Sequence, residues 1–130
     1  MLSNKDAIAT IAVKNLQAAK TFYRDTLGLE LVGEEGDQVL TFKSGKSLVF
    51  VYRSEFASTN KATSATWQVG DEVDEIALTL KSKGVRFEHY DMPGLRREGD
   101  VHVGGENGRS EMRVAWFRDP EGNIISIVSG

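Results

Sequence analysis

Cysteine is absent from the 130 residues. That excludes disulfides, thiolate metal sites and cysteine nucleophiles together. Histidine occurs twice, at His89 and His102, so a three-histidine zinc site does not fit within one chain. A basic surplus is missing too. The net charge is −3; residues 1–65 carry 8 basic and 7 acidic side chains, and residues 66–130 carry 8 and 12. Neither half offers a basic patch for a phosphate backbone, which argues against nucleic acid. No apolar run approaches the roughly 20 residues that span a bilayer. The opening residues, Met1 to Asp6, turn polar at once and lack the apolar centre of a signal peptide. The expectation is a cytoplasmic protein, without nucleic-acid or membrane partners, acting on a small molecule.

Hydrophobic residues make up 40% and charged residues 27%, a globular balance rather than a disordered one. A chain of this length is one ordinary domain and buries roughly two-thirds of its unfolded surface, so it needs no covalent staples. It has no room for a nucleotide-binding domain beside a separate substrate domain.

Ile8 to Val13 is rich in β-branched residues and reads as a strand. Asn15 is placed to cap a helix whose apolar face is Leu16, Ala19, Tyr23 and Leu27, with Phe22 beside it. Gly28 suits the left-handed position after that helix. Leu29 and Leu31 alternate with Glu30 as in a half-buried strand, and 33–37 reads as a turn. Gln38 to Phe42 and Ser47 to Tyr52 then read as a hairpin. The second half repeats the plan. Ser64 to Val69 is a strand, and Asp71 is placed to cap a helix bearing Val73, Ile76 and Leu80. Gly84 ends it, and Val85 and Phe87 begin the next strand. Glu111 to Arg118 and Asn123 to Val128 form a hairpin across Asp119-Pro120-Glu121-Gly122, where proline and glycine suit a tight turn.

The two copies are in register. Ala9, Thr10 and Val13 match Ala65, Thr66 and Val69 at an offset of 56, as Gly28, Leu29 and Leu31 match Gly84, Val85 and Phe87. Gly45 and Gly122, in the two hairpin turns, differ by 77. The difference of 21 marks an insertion at about 91–111, a charged stretch holding five of the thirteen glycines. The predicted fold class is α+β: two repeated βαβββ modules, about 7–53 and 62–130, in a single domain 1–130. Their helices cover one sheet face, and the opposite face forms a cup suited to a ligand.

Ile11 to Leu16, Thr21 to Leu29 and Trp116 to Ile124 together resemble the vicinal oxygen chelate superfamily, which includes glyoxalase I, bleomycin-resistance proteins, fosfomycin-resistance enzymes and extradiol dioxygenases. The resemblance covers essentially the whole chain. It implies paired βαβββ modules around a cupped mixed sheet with helices outside, commonly assembled as a homodimer. It does not fix the chemistry, because this fold hosts isomerases, dioxygenases, transferases and binding proteins.

Metal-using relatives place one ligand five residues before the valine of the first strand segment. Here that residue is Ile8, and its symmetric counterpart is Ser64. The carboxylate ligand that follows the Asp-Pro-x-Gly-Asn turn by three residues is replaced by Ser126. A fourth position falls at or next to Phe50. Isoleucine and phenylalanine cannot coordinate a metal, and serine hydroxyls are poor ligands for divalent ions. The expected metal and cofactor complement is therefore none. A two-histidine, one-carboxylate set from His89, His102 and Glu111 or Asp91 is the remaining metal alternative.

Strand alternation sorts the candidate pocket. Thr10 shares the face of Ile8; Ser64, Thr66 and Gln68 take the same face in the second copy, with Ser126 in the last strand. Phe50 and Tyr52 share one face, assigned to the cup. Tyr90, with Glu88, opposes the core-facing Val85 and Phe87. Trp67 points to the core. Nothing in the sequence anchors the parity of Trp116, which is carried as a pocket candidate. For Phe50, Tyr52 and Trp116, filling a core or dimer interface is an equal alternative. Arg96 and Arg97 are candidate anion contacts, set among Asp91, Glu98, Asp100 and Glu106 in a mixed-charge loop. The glycine-rich run 104–108 lacks the lysine and following helix of a phosphate loop.

Three functions follow. The first is a metal-independent small-molecule-binding protein. The second is a lyase, isomerase or dioxygenase using unusual ligands or no metal, with Tyr90, Glu88 or His89 as acid or base. The third is a dimeric interaction module.

Overall fold

A computed structural model of the chain describes residues 1–105 and 111–129. Glu106, and most of the glycine-rich run 104–108, lie outside the described residues.

The first module is β1 (Ala9–Val13), α1 (Leu16–Thr21), β2 (Glu30–Glu35), β3 (Val39–Ser44) and β4 (Ser47–Arg53). Its sheet runs β1-β4-β3-β2, with β1 and β4 parallel and the hairpin neighbours antiparallel. The Asn15 side chain accepts from the Ala18 N–H at 3.0 Å, as its position predicts. After Thr21 the helix widens into a π-turn, Phe22–Thr26, closed by the Leu27 N–H on the Phe22 carbonyl at 2.9 Å. Phe22 and Tyr23 are both buried there. The expected turn at 33–37 begins later, because Gly33 to Glu35 pair with β3 and only 36–38 turn.

The second module is β5 (Thr63–Gln68), α2 (Val73–Ser82), β6 (Phe87–Glu88), β7 (Leu95–Glu98), β8 (Val101–Gly104), β9 (Met112–Arg118) and β10 (Ile124–Val128). Its sheet runs β5-β10-β9-β8-β7, and β6 also pairs with β9. Asp71 does not cap α2: it sits inside a 3-10 turn, Gly70–Glu72, that leads straight into the helix, and the N-cap position makes no side-chain bond. The helix ends as its glycine predicts. Gly84 has φ +84°, its N–H reaches the Lys81 carbonyl, and the Val85 N–H reaches that of Leu80. These two bonds define a Schellman closure.

β6 and β8 are two pieces of one strand position. Glu88 pairs with Trp116, and His102 pairs with Val114, the place Tyr90 would fill in an unbroken strand. The chain therefore inserts twelve residues, 90–101, and resumes in register at His102. Those residues include β7, which adds an outer strand along β8.

One apolar core unites both modules. Ile11, Val13, Phe42 and Val51 of the first sheet and Val103, Ala115, Phe117 and Ile125 of the second belong to the same cluster as Leu16, Tyr23, Ala77 and Leu80 of the helices. Trp67 packs against that core, and its indole N–H donates to Ser44 Oγ at 2.8 Å. Among the described residues no helix is long and apolar enough to cross a membrane.

Candidate functional site

The inward alternation of the core leaves each sheet an outer face. On the first module, β1–β4 register sets Thr10 beside Phe50 and Ala12 beside Tyr52, so these share one face. Phe50 is half-buried and Tyr52 exposed. On the second module, Thr66 is opposite Ser126, and Ser126 is opposite Trp116. That anchors the parity left open in the sequence: Trp116 belongs to the face of Thr66 and Ser126. Gln68 shares it by alternation along β5, and Ser64 lies in a bulge, between Thr63, paired with Ile124, and Ala65, paired with Ile125. A cavity of about 530 Å³ bridges the two outer faces, lined by Leu48 of the first and by Thr66 and Gln68 of the second; Thr10, Phe50, Tyr52, Ser64, Tyr90, Trp116 and Ser126 do not line it.

The family's metal positions can now be tested on their donors. Phe50 and Ser126 occupy equivalent places, each opposite the threonine two residues after Ile8 or Ser64. Ser126 is buried, and its hydroxyl is bonded to that of Thr66 at 2.7 Å. Ile8 and Phe50 carry no donor at all. These residues do not fit a divalent ion. Among the described residues no cluster of three or more His, Cys, Asp or Glu is placed to hold one elsewhere. His89 bonds Asp100 at 2.7 Å, and Glu111 is engaged by Arg96 at 2.7 Å, so neither joins His102 in a ligand triad.

His102 has another role. It is buried on the outer face, its Nε2 accepts from the Tyr90 N–H at 2.9 Å, and its ring meets Trp116 edge-on with centroids 4.8 Å apart. Accepting at Nε2 places the proton on Nδ1, which is buried without a hydrogen-bond partner. Burial pushes the imidazole below its usual range, so the neutral ring is favoured. Tyr90, led out of the strand by the detour, lies edge-on to Trp116 at 5.1 Å. It reaches the outer face by this crossover rather than by strand alternation.

Toward the Asp119–Gly122 turn the face becomes charged. Arg118 Nη2 meets Glu88 Oε1 at 2.7 Å, and Nη1 donates to the Gly122 carbonyl at 3.0 Å. The guanidinium holds the Glu88 carboxyl below its ordinary range, so both groups stay charged. A cavity of about 520 Å³ opens here, lined by Glu88, Tyr90, Arg118 and Ile124 and, across from them, by Ser58, Asn60 and Lys61 of the inter-module connection. Strand alternation from Trp116 leads to Arg118, so that residue was reachable from sequence; Asn60 and Lys61 carry no such signal. Arg96 is taken up by Glu98 and Glu111, which makes its part of the 91–111 segment an ion-pair surface.

Beneath this cavity the modules are locked together. Tyr23 is fully buried, and its hydroxyl donates to Asp119 Oδ2 at 2.8 Å. Asp119 also accepts from the Glu121 and Asn123 backbone N–H groups and from Asn123 Nδ2, which in turn donates to the Ala12 carbonyl.

Two βαβββ units around a shared core define a paired-module fold. The profile of the Glyoxalase/Bleomycin resistance protein/Dioxygenase superfamily matches residues 6–127, and the chain belongs to that superfamily. Lactoylglutathione lyase from Agrobacterium tumefaciens superposes with a TM-score of 0.70 at 21% identity, over 98% of this chain and 95% of that one. A glyoxalase/bleomycin resistance protein/dioxygenase from Alicyclobacillus acidocaldarius gives 0.73 at 18%, over 96% and 90%. The fosfomycin resistance protein FosX from Mesorhizobium loti gives 0.69 at 14%, over 100% and 94%. At these identities the likeness is one of fold. No curated protein sequence matches the chain.

Proposed function

We propose that the protein binds a small organic molecule on the outer face of its second module, without a metal at the family's usual positions. The observation that carries this reading is a contrast between two sets of residues. The metal positions hold Ile8, Phe50, Ser64 and Ser126, while the neighbouring Tyr90, His102, Trp116, Glu88 and Arg118 form a fixed aromatic and charged set. Aromatic surfaces give contact area, and a few placed polar groups give orientation. Catalysis by Glu88 as base is disfavoured, because a carboxylate held low by Arg118 is a weak proton acceptor. The exposed apolar Leu48 and Tyr52 of the first module suit coverage by a second copy, which would make the working unit a homodimer.

The test is a chemically broad ligand panel read by melting temperature and tryptophan fluorescence, with and without a strong chelator. Saturable binding that the chelator leaves unchanged is expected, with a mass in solution of twice 14.3 kDa. Binding that vanishes with chelator and returns with manganese or zinc would overturn the reading, as would stoichiometric metal in the purified protein.

A further inference from the structure

We propose that the cavity between the inter-module connection and the second module's outer face takes an aromatic carboxylate. This deepens the binding reading above and rests on it.

The first argument is the wall. The connection is unusually fixed for an exposed loop. Ala57 is buried, Thr59 Oγ1 donates to the Phe56 carbonyl, and Asn60 Oδ1 accepts from the Ala62 N–H at 2.9 Å. Ser58 is held at φ +70°, the one described non-glycine residue in the left-handed region, and its hydroxyl donates to the Glu121 carbonyl. A serine kept in that conformation costs energy that surrounding contacts must offset, and such positions gather at ligand sites. Here the strained residue lines the cavity. Its volume of about 520 Å³ lies within the range of small-molecule sites, roughly 300–1,000 Å³.

The second argument is the distribution of charge. Four charged side chains line the cavity: Lys61, Glu88, Arg118 and Glu121. Glu88 and Arg118 neutralise one another at 2.7 Å. One oxygen of Glu121 accepts from the Lys14 backbone N–H. Lys61 makes no ion pair among the described residues. The donors are also in excess. With Asn60 Oδ1 committed to Ala62, the amide keeps its N–H₂ for a ligand, and Lys61 lines the same cavity, while both ends of the Arg118 fork are taken by Glu88 and the Gly122 carbonyl. An amide N–H₂ and an ammonium without an ion pair, side by side in the chain on one wall, suit a single anion, and a carboxylate offers two oxygens for the two donors.

The third argument is the remaining surface. Tyr90 and Ile124 supply the apolar lining, and Tyr90 is steadied by its edge contact with Trp116 and by the bond from its N–H to His102. A flat ring attached to the carboxylate has a flat partner there. A wall, a donor cluster and an aromatic face fixed before binding reduce the ordering cost of the complex.

The experiment is an amide chemical-shift titration of the full chain with sodium benzoate, benzamide, sodium acetate and a broad neutral panel. Benzoate should saturate, with shifts centred on Asn60, Lys61 and Tyr90, and benzamide and acetate should bind at least about tenfold more weakly. Lys61→Met should weaken benzoate about fivefold and leave benzamide unchanged, and added salt should narrow the gap between wild type and variant. Lys61 is exposed, so this variant keeps the fold. Benzamide binding as well as benzoate at these residues overturns the ligand class and leaves the site. Panel molecules binding elsewhere on the outer face, with benzoate failing to saturate, overturn the site and leave the broader reading. No shift with any probe overturns both.

Discussion

Replacing Tyr23 by Phe deletes one hydroxyl from the lock between the modules and leaves the ring in place. The Tyr23 hydroxyl is buried and bonded only to Asp119, whose other three donors come from the turn itself. A hydrogen bond to a charged group is worth about 1.5–3 kcal/mol. The low end applies, because Asp119 keeps three donors, so the expected loss is about 1.5 kcal/mol, or ~5 °C in Tm for a chain of this size. Asp119→Ala is harsher. It strands the Tyr23 hydroxyl and the Asn123 amide groups in a buried setting, at a cost of about 4–5 kcal/mol, a large share of a typical domain's stability. The two effects must couple. In the Asp119→Ala background the hydroxyl is already stranded, so Tyr23→Phe should cost nothing there and recover about 1 kcal/mol. Urea unfolding followed by tryptophan fluorescence measures all four proteins, with the midpoint moving and the slope constant. Tyr23 adds a pH signature. Burial, then the neighbouring Asp119, push its pKa well above the usual tyrosine value. Above about pH 10 the unfolded chain releases a proton that the folded chain keeps, so stability falls as pH rises, and Tyr23→Phe should lose that alkaline slope. Equal costs for Tyr23→Phe in both backgrounds would refute the idea that this bond ties the modules.

His102 should make the protein acid-sensitive. Its folded pKa is lowered, chiefly by burial, so stability is full above about 6.5 and declines as pH falls below it; a His102→Gln variant should show a flatter acid limb in Tm against pH. Arg118→Met removes the partner that holds the Glu88 carboxyl low, so the Glu88 pKa, followed by carboxyl NMR, should rise; an unchanged value would contradict the pairing. Gly84 sits at φ +84°, and an added Cβ would meet nothing within 4 Å, so Gly84→Ala tests backbone strain alone and should cost about 1–2 kcal/mol in thermal unfolding.

The repeated frame was legible because both copies use the same devices at the same spacing. Leu31 and Phe87, 56 apart, do pair with equivalent residues, Phe42 and Phe117. The helix-ending glycines stand in the left-handed region as their positions require. The hairpin glycines were a poorer guide. Their offset of 77 exceeds the 76 that register gives for Phe50 and Ser126, because the two glycines take different places in their turns, between Lys43 and Leu48 and between Arg118 and Ile124. The detour was the least readable part. β7, Leu-Arg-Arg-Glu, has no apolar alternation, since it is an exposed edge strand. The Val101-His102-Val103 alternation was present but lay inside a glycine-rich stretch. His102 is buried by Tyr90 and Trp116, contacts across strands that local sequence does not encode. Asn60 and Lys61 became site residues through the path of a connection without periodicity.

The strand that leaves at Glu88 and resumes at His102 has a consequence for how such a protein changes over time. Because register is restored after the excursion, its length places no demand on the pairing of β9; of its residues, Val101 alone belongs to the buried core. Tyr90 enters the cavity from that excursion, whereas Tyr23 and Asp119 hold the modules from outside it. Tyr90 is thus supplied by a stretch of chain apart from the lock, whereas Arg118 and Glu121 flank Asp119 and belong to both. A lineage can rewrite what the cavity accepts by editing a loop, while the scaffold that presents it stays the same.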